Sequence, residues 1–328
     1  MTGTLNANDP AAAMSMSPPG VLTVGCFTGL ADRLTVLLSG VALAEATNRR
    51  LVVWWPRTVH CAATFGELFS SPWPVIEVPE PQVRALPLHD MRDRHRQRDL
   101  LTAEEVDLAV RADGWMLDAK NHPAHVPLVE RCSQLLAELQ PLSEIFERVE
   151  SFRSTAFRSR MVGVHLRRAD YQLFDAPAAG GTKRAIAAVD RFLEGWPEAG
   201  VLLCSDDGGT DTFTGQATSA QGVQATFRAR YGERVVFNRP RSLDRREPVA
   251  IQDALVDLLL LRATDAVVGT QGSTFSAMAA FGRNVPTTWC RSANPLLHLR
   301  PLWLWARGRA RADAVRFYYG RLVRQWLS

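Results

Sequence analysis

The sequence predicts an α/β protein built from two doubly wound, Rossmann-like lobes that face each other across a cleft. Three observations carry this reading. Short apolar runs alternate with segments of helical spacing along most of the chain, the pattern of parallel sheets covered by helices. Several of those runs end abruptly in charged or glycine-containing loops, as strands do where an open sheet presents its ligand edge. The length of 328 residues suits two domains.

Residues 21–25 read as the first strand, and a loop over 26–31 containing Gly29 follows. Leu34, Leu37, Leu38, Val41 and Ala42 then fall at helical spacing. An apolar run over 51–55, closed by Pro56, completes a βαβ unit. Residues 77–127 are polar and carry Pro, His and Arg, which predicts loops and short helices. Residues 128–157 read as helical and lead into the second lobe. There, strands are predicted at 161–166, 201–204, 234–237, 266–269 and 286–289, with helices at 183–196, 218–231, 252–263 and 274–281. The expected organisation is a disordered segment over 1–20, lobes over 21–157 and 158–299, and a basic C-terminal helix over 300–328.

Composition removes several function classes. Hydrophobic residues make up 46% of the chain and charged residues 22%, ordinary for a globular protein. No apolar run approaches the roughly 18 residues of a membrane span. The first twenty residues lack a basic n-region and an apolar core, unlike a signal peptide. The five cysteines are scattered singly, with no CxxC pair and no HExxH; that spacing suits a reducing compartment and not a structural zinc site. From residue 300 onward seven arginines face one aspartate, a net +6, so with the whole chain at +4 the body is about −2. A body of that charge is not a nucleic-acid binder. The tail also holds Trp303, Trp305, Phe317, Tyr318, Tyr319 and Trp326. Two readings compete for it: a basic amphipathic helix on an anionic membrane surface, or an apolar stripe packed on the N-terminal lobe with its arginines in water. Cytoplasmic location fits both, with peripheral contact to the inner membrane under the first.

Four segments carry candidate chemistry. The strand over 161–164 runs into His165-Leu166-Arg167-Arg168-Ala169-Asp170. Paired guanidiniums at a strand end form fixed, always-charged forks that match phosphate geometry; an ion-paired strand end is the competing reading. The second apolar run ends in Ser205-Asp206-Asp207-Gly208. Paired aspartates there serve as metal ligands, helix caps or acceptors for sugar or base donors. The third segment leaves a strand and opens a helix through Gln271-Gly272-Ser273-Thr274-Phe275-Ser276, where small hydroxyl residues cap the helix and backbone N–H groups suit phosphate. Asp253 and Asp257 share one face of the preceding helix, which reads as a solvated face. The fourth is the loop Gly25-Cys26-Phe27-Thr28-Gly29-Leu30-Ala31-Asp32-Arg33. It is not GxGxxG, yet it puts glycine after the first strand, where backbone approaches a ligand or bends sharply.

In this order, these segments resemble the fucosyltransferase superfamily that includes the α-1,6-, α-1,2- and protein-O-fucosyltransferases. The resemblance lies in His165 to Asp170, in Ser205-Asp206-Asp207, in Asp253 to Ser276 and in Gly25 to Arg33. It implies a GT-B fold, with the N-terminal lobe on the acceptor side and the C-terminal lobe on the donor side. It further implies GDP-β-L-fucose as donor, inversion at the anomeric carbon, no metal and no cofactor, and a glycan or glycoconjugate acceptor of a bacterial surface-glycan kind. It maps a diphosphate contact onto Arg168 and a carboxylate seven residues later onto Asp175. The donor site it implies comprises Gly29, Arg33, His165, Arg167, Asp170, Ser205, Asp206, Asp207, Asp253, Gln271, Gly272, Ser273, Thr274 and Phe275. Tyr171 stands where the α-1,6 branch has a basic residue, and Asp175 where it has Glu, so linkage and acceptor stay open.

Mechanistically, cations preorganised at the diphosphate stabilise the leaving group. Arg168, with Arg167 or Arg33, fills that role. A positioned carboxylate takes the acceptor proton: Asp175 first, then Asp170 or Asp32. Alternatives are a transferase for another GDP-sugar and a non-catalytic nucleotide-sugar or glycan binder on the same fold.

Overall fold

The computed structural model describes residues 20–71, 73, 75–76, 89–91, 99–167, 179–206 and 222–290. Arg168, Asp170, Asp175 and Asp207, residues 1–19 of the N-terminal segment and the tail from 291 lie outside the described residues, and the expectations placed on them stay expectations.

The first lobe holds β1 (Val21–Cys26), α1 (Leu30–Ala46), β2 (Arg50–Trp54), β3 (Val75–Ile76), β4 (His89–Asp90) and β5 (Leu108–Ala112). They form a sheet of order β3-β2-β1-β5-β4, parallel at every pairing. Two helices follow, α2 (Val126–Glu138) and α3 (Ser143–Ala156). The predicted continuous helix is broken between them, where Pro141 bridges Phe69 and cannot donate a helical hydrogen bond.

The second lobe runs β6 (Met161–Leu166), α4 (Ala179–Gly195), β7 (Gly200–Ser205), α5 (Gly222–Tyr231), β8 (Val235–Val236), α6 (Pro248–Arg262), β9 (Ala266–Thr270), α7 (Thr274–Ala280) and β10 (Thr287–Cys290). Its sheet order is β10-β9-β6-β7-β8, again parallel throughout. Each predicted strand and helix of this lobe is present. The strand order reverses between β6 and β9 here and between β1 and β5 in the first lobe.

The sequence pattern missed three strands of the first sheet: the two-residue β3 and β4, too short to show a pattern, and β5, which lies beside β1 at the centre of the sheet. The β5 sequence, Leu-Ala-Val-Arg-Ala, alternates buried and half-buried positions. The charge at Arg111 masks the pattern, and the guanidinium lies over the Phe27 ring, 4.5 Å from its centroid.

β6 is buried along its whole length. Val162, Val164 and Leu166 join a core with Val201, Leu203 and Phe227. Met161 belongs to a larger core that runs from Val24 and Leu37 of the first lobe to Leu255, Leu258 and Met278 of the second. α6 is apolar nearly all round, with buried residues from Ala250 to Leu261. Among the described residues Cys61, Cys132, Cys204 and Cys290 are buried free thiols. No described helix is long and apolar enough to cross a membrane.

Candidate active-site cleft

An open-mouthed cleft lies where the two lobes meet. The second lobe contributes the carboxyl end of β6 at its switch point, where open α/β sheets bind ligands. The strand ends are held in register by side chains. The Arg167 backbone N–H donates to Thr270 Oγ1 at 3.0 Å. The Thr270 hydroxyl donates to the His165 carbonyl at 3.1 Å. The Ser205 hydroxyl donates to the Leu166 carbonyl at 2.9 Å. β9, β6 and β7 are thereby stapled at the edge that faces the cleft.

His165, Arg167, Ser205, Asp206, Thr274 and Phe275 all line the cleft. The His165 ring packs on Phe275, centroids 4.7 Å apart. Asp206 faces Arg245, with Oδ2 and Nη2 3.6 Å apart. This pair is looser than the bidentate surface pair of Arg230 and Asp190. Gln271 and Gly272 form the turn between β9 and α7, with Gly272 at φ +75°, a left-handed conformation that favours glycine. Ser273 is buried and caps α7 by accepting the Ser276 backbone N–H. These three residues shape the loop without lining the cleft.

The first lobe contributes Thr28, Gly29, Asp32 and His60. Gly29 has φ −67° and ψ 165°, so no sharp bend requires glycine there. A Cβ at that position would meet only Asp32 Oδ2, at 3.9 Å. Gly29 therefore leaves room in the cleft.

Two expectations change. Arg33 is not a cleft cation: it is fully buried. Its Nε donates to the Thr28 carbonyl (2.7 Å), Nη1 to the Pro56 carbonyl (2.8 Å) and Nη2 to Thr58 Oγ1 (3.0 Å). The guanidinium carbon lies 5.2 Å from the centroid of the Trp55 ring. Thr58 in turn donates to the Phe27 carbonyl and accepts the His60 backbone N–H. Arg33, in the first turn of α1 beside Asp32, thus ties the loop that carries Gly29 to the loop that carries His60. Asp253 is neither solvated nor in the cleft; its side chain is 1% exposed. Arg148 of α3 and Arg241 each approach its Oδ1 at 2.7 Å. Burial alone would raise the Asp253 carboxyl, and the hydrogen bonds from these arginines outweigh it and hold it below the usual range. Asp253 anchors Arg241, next to Pro240, Ser242, Leu243 and Arg245 on the cleft wall.

The cleft carboxylate of α6 is Asp257, one turn further on. Burial pushes it up to about 7, against a hydrogen bond from Asn238 Nδ2 to Oδ1 at 3.0 Å. The signal for it was α6 itself: a helix apolar on every side is buried on every side, so its acids are interior groups. His60 and Arg245 had no signal in the sequence, because only the tertiary fold brings their loops to the cleft. The lobes are joined beside it, where the Ala62 N–H donates to the Arg245 carbonyl at 3.0 Å. Gln252 Nε2 also donates to the Glu67 carbonyl, at 3.1 Å.

No protein-family model matches the chain, and no curated protein sequence matches it. Solved structures do. NodZ α-1,6-fucosyltransferase soaked with GDP-fucose is similar at a TM-score of 0.57 and 20% identity, over 80% of this chain and 92% of that one. Fucosyltransferase NodZ from Bradyrhizobium gives a TM-score of 0.59 at 19% identity over the same shares. A mutant of Arabidopsis thaliana FUT1 in complex with GDP gives 0.58 at 14% identity, over 84% of this chain and 71% of that one. The chain has the two-lobed, Rossmann-like GT-B fold of these fucosyltransferases.

Proposed function

We propose that the chain is an inverting, metal-independent glycosyltransferase that moves L-fucose from GDP-fucose to a glycan or glycoconjugate acceptor. The observation that carries this reading is the cleft at the β6–β9 switch point, lined by Arg167, Ser205, Asp206 and Thr274, in a fold whose solved relatives include one soaked with GDP-fucose. Arg167 and its neighbour Arg168 bind the diphosphate. As the bond from the anomeric carbon to the β-phosphate oxygen breaks, negative charge grows on GDP, and a fixed cation there stabilises the transition state. The acceptor hydroxyl attacks from the opposite face, and its proton passes to a carboxylate. Asp175 is the proposed base, and Asp32 of the cleft is the alternative.

Asp206 stands at the end of the second strand of its sheet in order, where doubly wound folds place an acid that accepts ribose hydroxyls. Asp257 supports guanine as the base. Pro240, Leu243, Ile251 and Ala254 give that part of the cleft apolar walls, and Asp257 is the carboxylate among them. The guanine edge offers two adjacent donors, N1–H and the 2-amino group, which a carboxylate accepts together.

Thermal shift with GDP, UDP, dTDP and CMP tests the donor class. Binding to the folded state at a hundred times Kd stabilises by about 2.7 kcal/mol, so GDP alone should raise the melting temperature strongly. Equal stabilisation by UDP or dTDP would refute the reading.

The ionised form of Asp257 is the one that accepts both guanine donors. With the group at about 7 in the free protein, GDP affinity should rise by about tenfold from pH 6 to pH 8, following the competent fraction. Asp257→Asn should flatten that profile, and IDP, which lacks the 2-amino group, should bind more weakly than GDP. A flat wild-type profile in calorimetry would remove Asp257 from the base site. The stability link runs the other way. A carboxyl raised when folded contributes stability that is full below its unfolded value near 4 and is lost as pH rises through 7.

Transfer should persist in excess chelator, since the arginines carry the charge role. Strict dependence on Mg²⁺ or Mn²⁺ in a radiolabelled transfer assay would contradict the mechanism.

A further inference from the structure

We propose that Ser276 is a positioning residue that holds His165 in its Nε2–H tautomer, so that this wall of the cleft offers an imidazole N–H donor to an oxygen of the bound nucleotide. The last step rests on the nucleotide-sugar reading; the tautomer itself does not.

The argument is an accounting of one proton. Ser276 lies in α7 and is fully buried, so its hydroxyl cannot reach water. A serine hydroxyl has one proton to donate and two lone pairs to accept with. The Thr270 backbone N–H donates to one lone pair at 3.1 Å. His165 Nδ1 lies 2.6 Å from the same oxygen. If Nδ1 carried the proton, the Ser276 oxygen would accept twice and its own proton would be stranded, because no other acceptor for it exists among the described residues. A stranded buried donor forfeits its hydration with nothing in return. With Nδ1 bare, the Ser276 hydroxyl donates to it and each group is satisfied. The ring proton then sits on Nε2.

The surroundings are shaped for this contact. Gly269 pairs with His165 across the β6–β9 register, and a Cβ there would come within 2.7 Å of Ser276 Cβ. Glycine at 269 is what lets α7 approach the sheet closely enough for Ser276 to reach the ring. Phe275, beside Ser276 in sequence, packs on the ring and fixes its plane. The Thr270 hydroxyl holds the His165 carbonyl, so backbone, ring plane and tautomer are each constrained. A histidine ring nitrogen is set by the hydrogen bond that the other nitrogen makes, and here the partner is a hydroxyl whose own proton has one place to go.

Long-range ¹H–¹⁵N correlation spectra of the full-length, nucleotide-free protein test this directly. His165, assigned through its loss in His165→Gln, should show a bare, pyridine-type Nδ1 and a protonated, pyrrole-type Nε2. Ser276→Ala should give a mixed tautomer pattern and weaken GDP binding about fivefold, the worth of one neutral hydrogen bond. Ser276→Cys, which keeps a weak donor, should lie between the two. A protonated Nδ1 in the wild type overturns the proposal. So does a Ser276→Ala spectrum that keeps the wild-type tautomer. If the protein binds no GDP, the nucleotide-sugar reading fails while the spectrum still decides the tautomer, and if Ser276→Ala does not fold, the wild-type and Ser276→Cys spectra decide it.

Discussion

Arg168→Ala should lower turnover by about 100- to 1,000-fold, the usual loss for one preorganised stabiliser of developing negative charge. The residue follows Arg167, which lines the cleft at the end of β6, and it completes the arginine pair of the strand-end motif. In the proposed mechanism the donor leaves as a nucleotide diphosphate, and stabilising the negative charge of that transition state is the role proposed for the arginine pair. Arg168→Lys should restore little. An ammonium carries the charge, but it lacks the planar fork that grips two phosphate oxygens at once. Both variants should fold normally, because neither removes an apolar side chain from the core. Turnover of labelled GDP-fucose, read beside circular dichroism, checks both points. A folded Arg168→Ala enzyme with near-normal turnover would remove this residue from the mechanism.

The fold was legible in the sequence wherever burial on both faces left an unbroken apolar run. β6, β7 and β9 are such strands: their interiors are buried at every position, so they read without ambiguity. β5 failed that test because it alternates and because a cation–π contact lets Arg111 occupy a central strand. The site was legible to the extent that it consists of strand ends. His165, Arg167, Ser205 and Asp206 each follow an apolar run, and the topology brings those ends to one edge. His60, Arg245 and Asp257 reach the cleft from two loops and a helix flank, and their place depends on how the lobes pack. Asp253 and Asp257 show the limit. They share a helix and a residue type, yet one is locked between two arginines and the other is raised to about 7 in the cleft. Spacing alone cannot tell a structural acid from a ligand acid when the helix is buried all round.

Arg33→Met should separate fold from function in a way that no diphosphate contact would. Methionine keeps much of the apolar stem but removes the guanidinium. The Thr28 carbonyl, the Pro56 carbonyl and the Thr58 hydroxyl then each lose a buried donor. At about 1–1.5 kcal/mol for each lost bond, the variant should be destabilised by about 3–5 kcal/mol, read as a lower urea midpoint at unchanged slope. The segments that Arg33 joins carry Gly29, Asp32 and His60, while the proposed nucleotide contacts lie on the other lobe. Calorimetry below the melting transition should therefore show GDP affinity within a few-fold of wild type, while transfer to acceptor falls far more. Thr58→Val is the milder control. It keeps the shape and removes the hydroxyl that accepts from Arg33 and from the His60 backbone and donates to Phe27. It should lose about 1–2 kcal/mol and reproduce the same split between binding and transfer. The opposite pattern, stability intact and GDP affinity collapsed, would return Arg33 to the diphosphate. A buried guanidinium with its three donating nitrogens committed to its own loops is built for the first outcome.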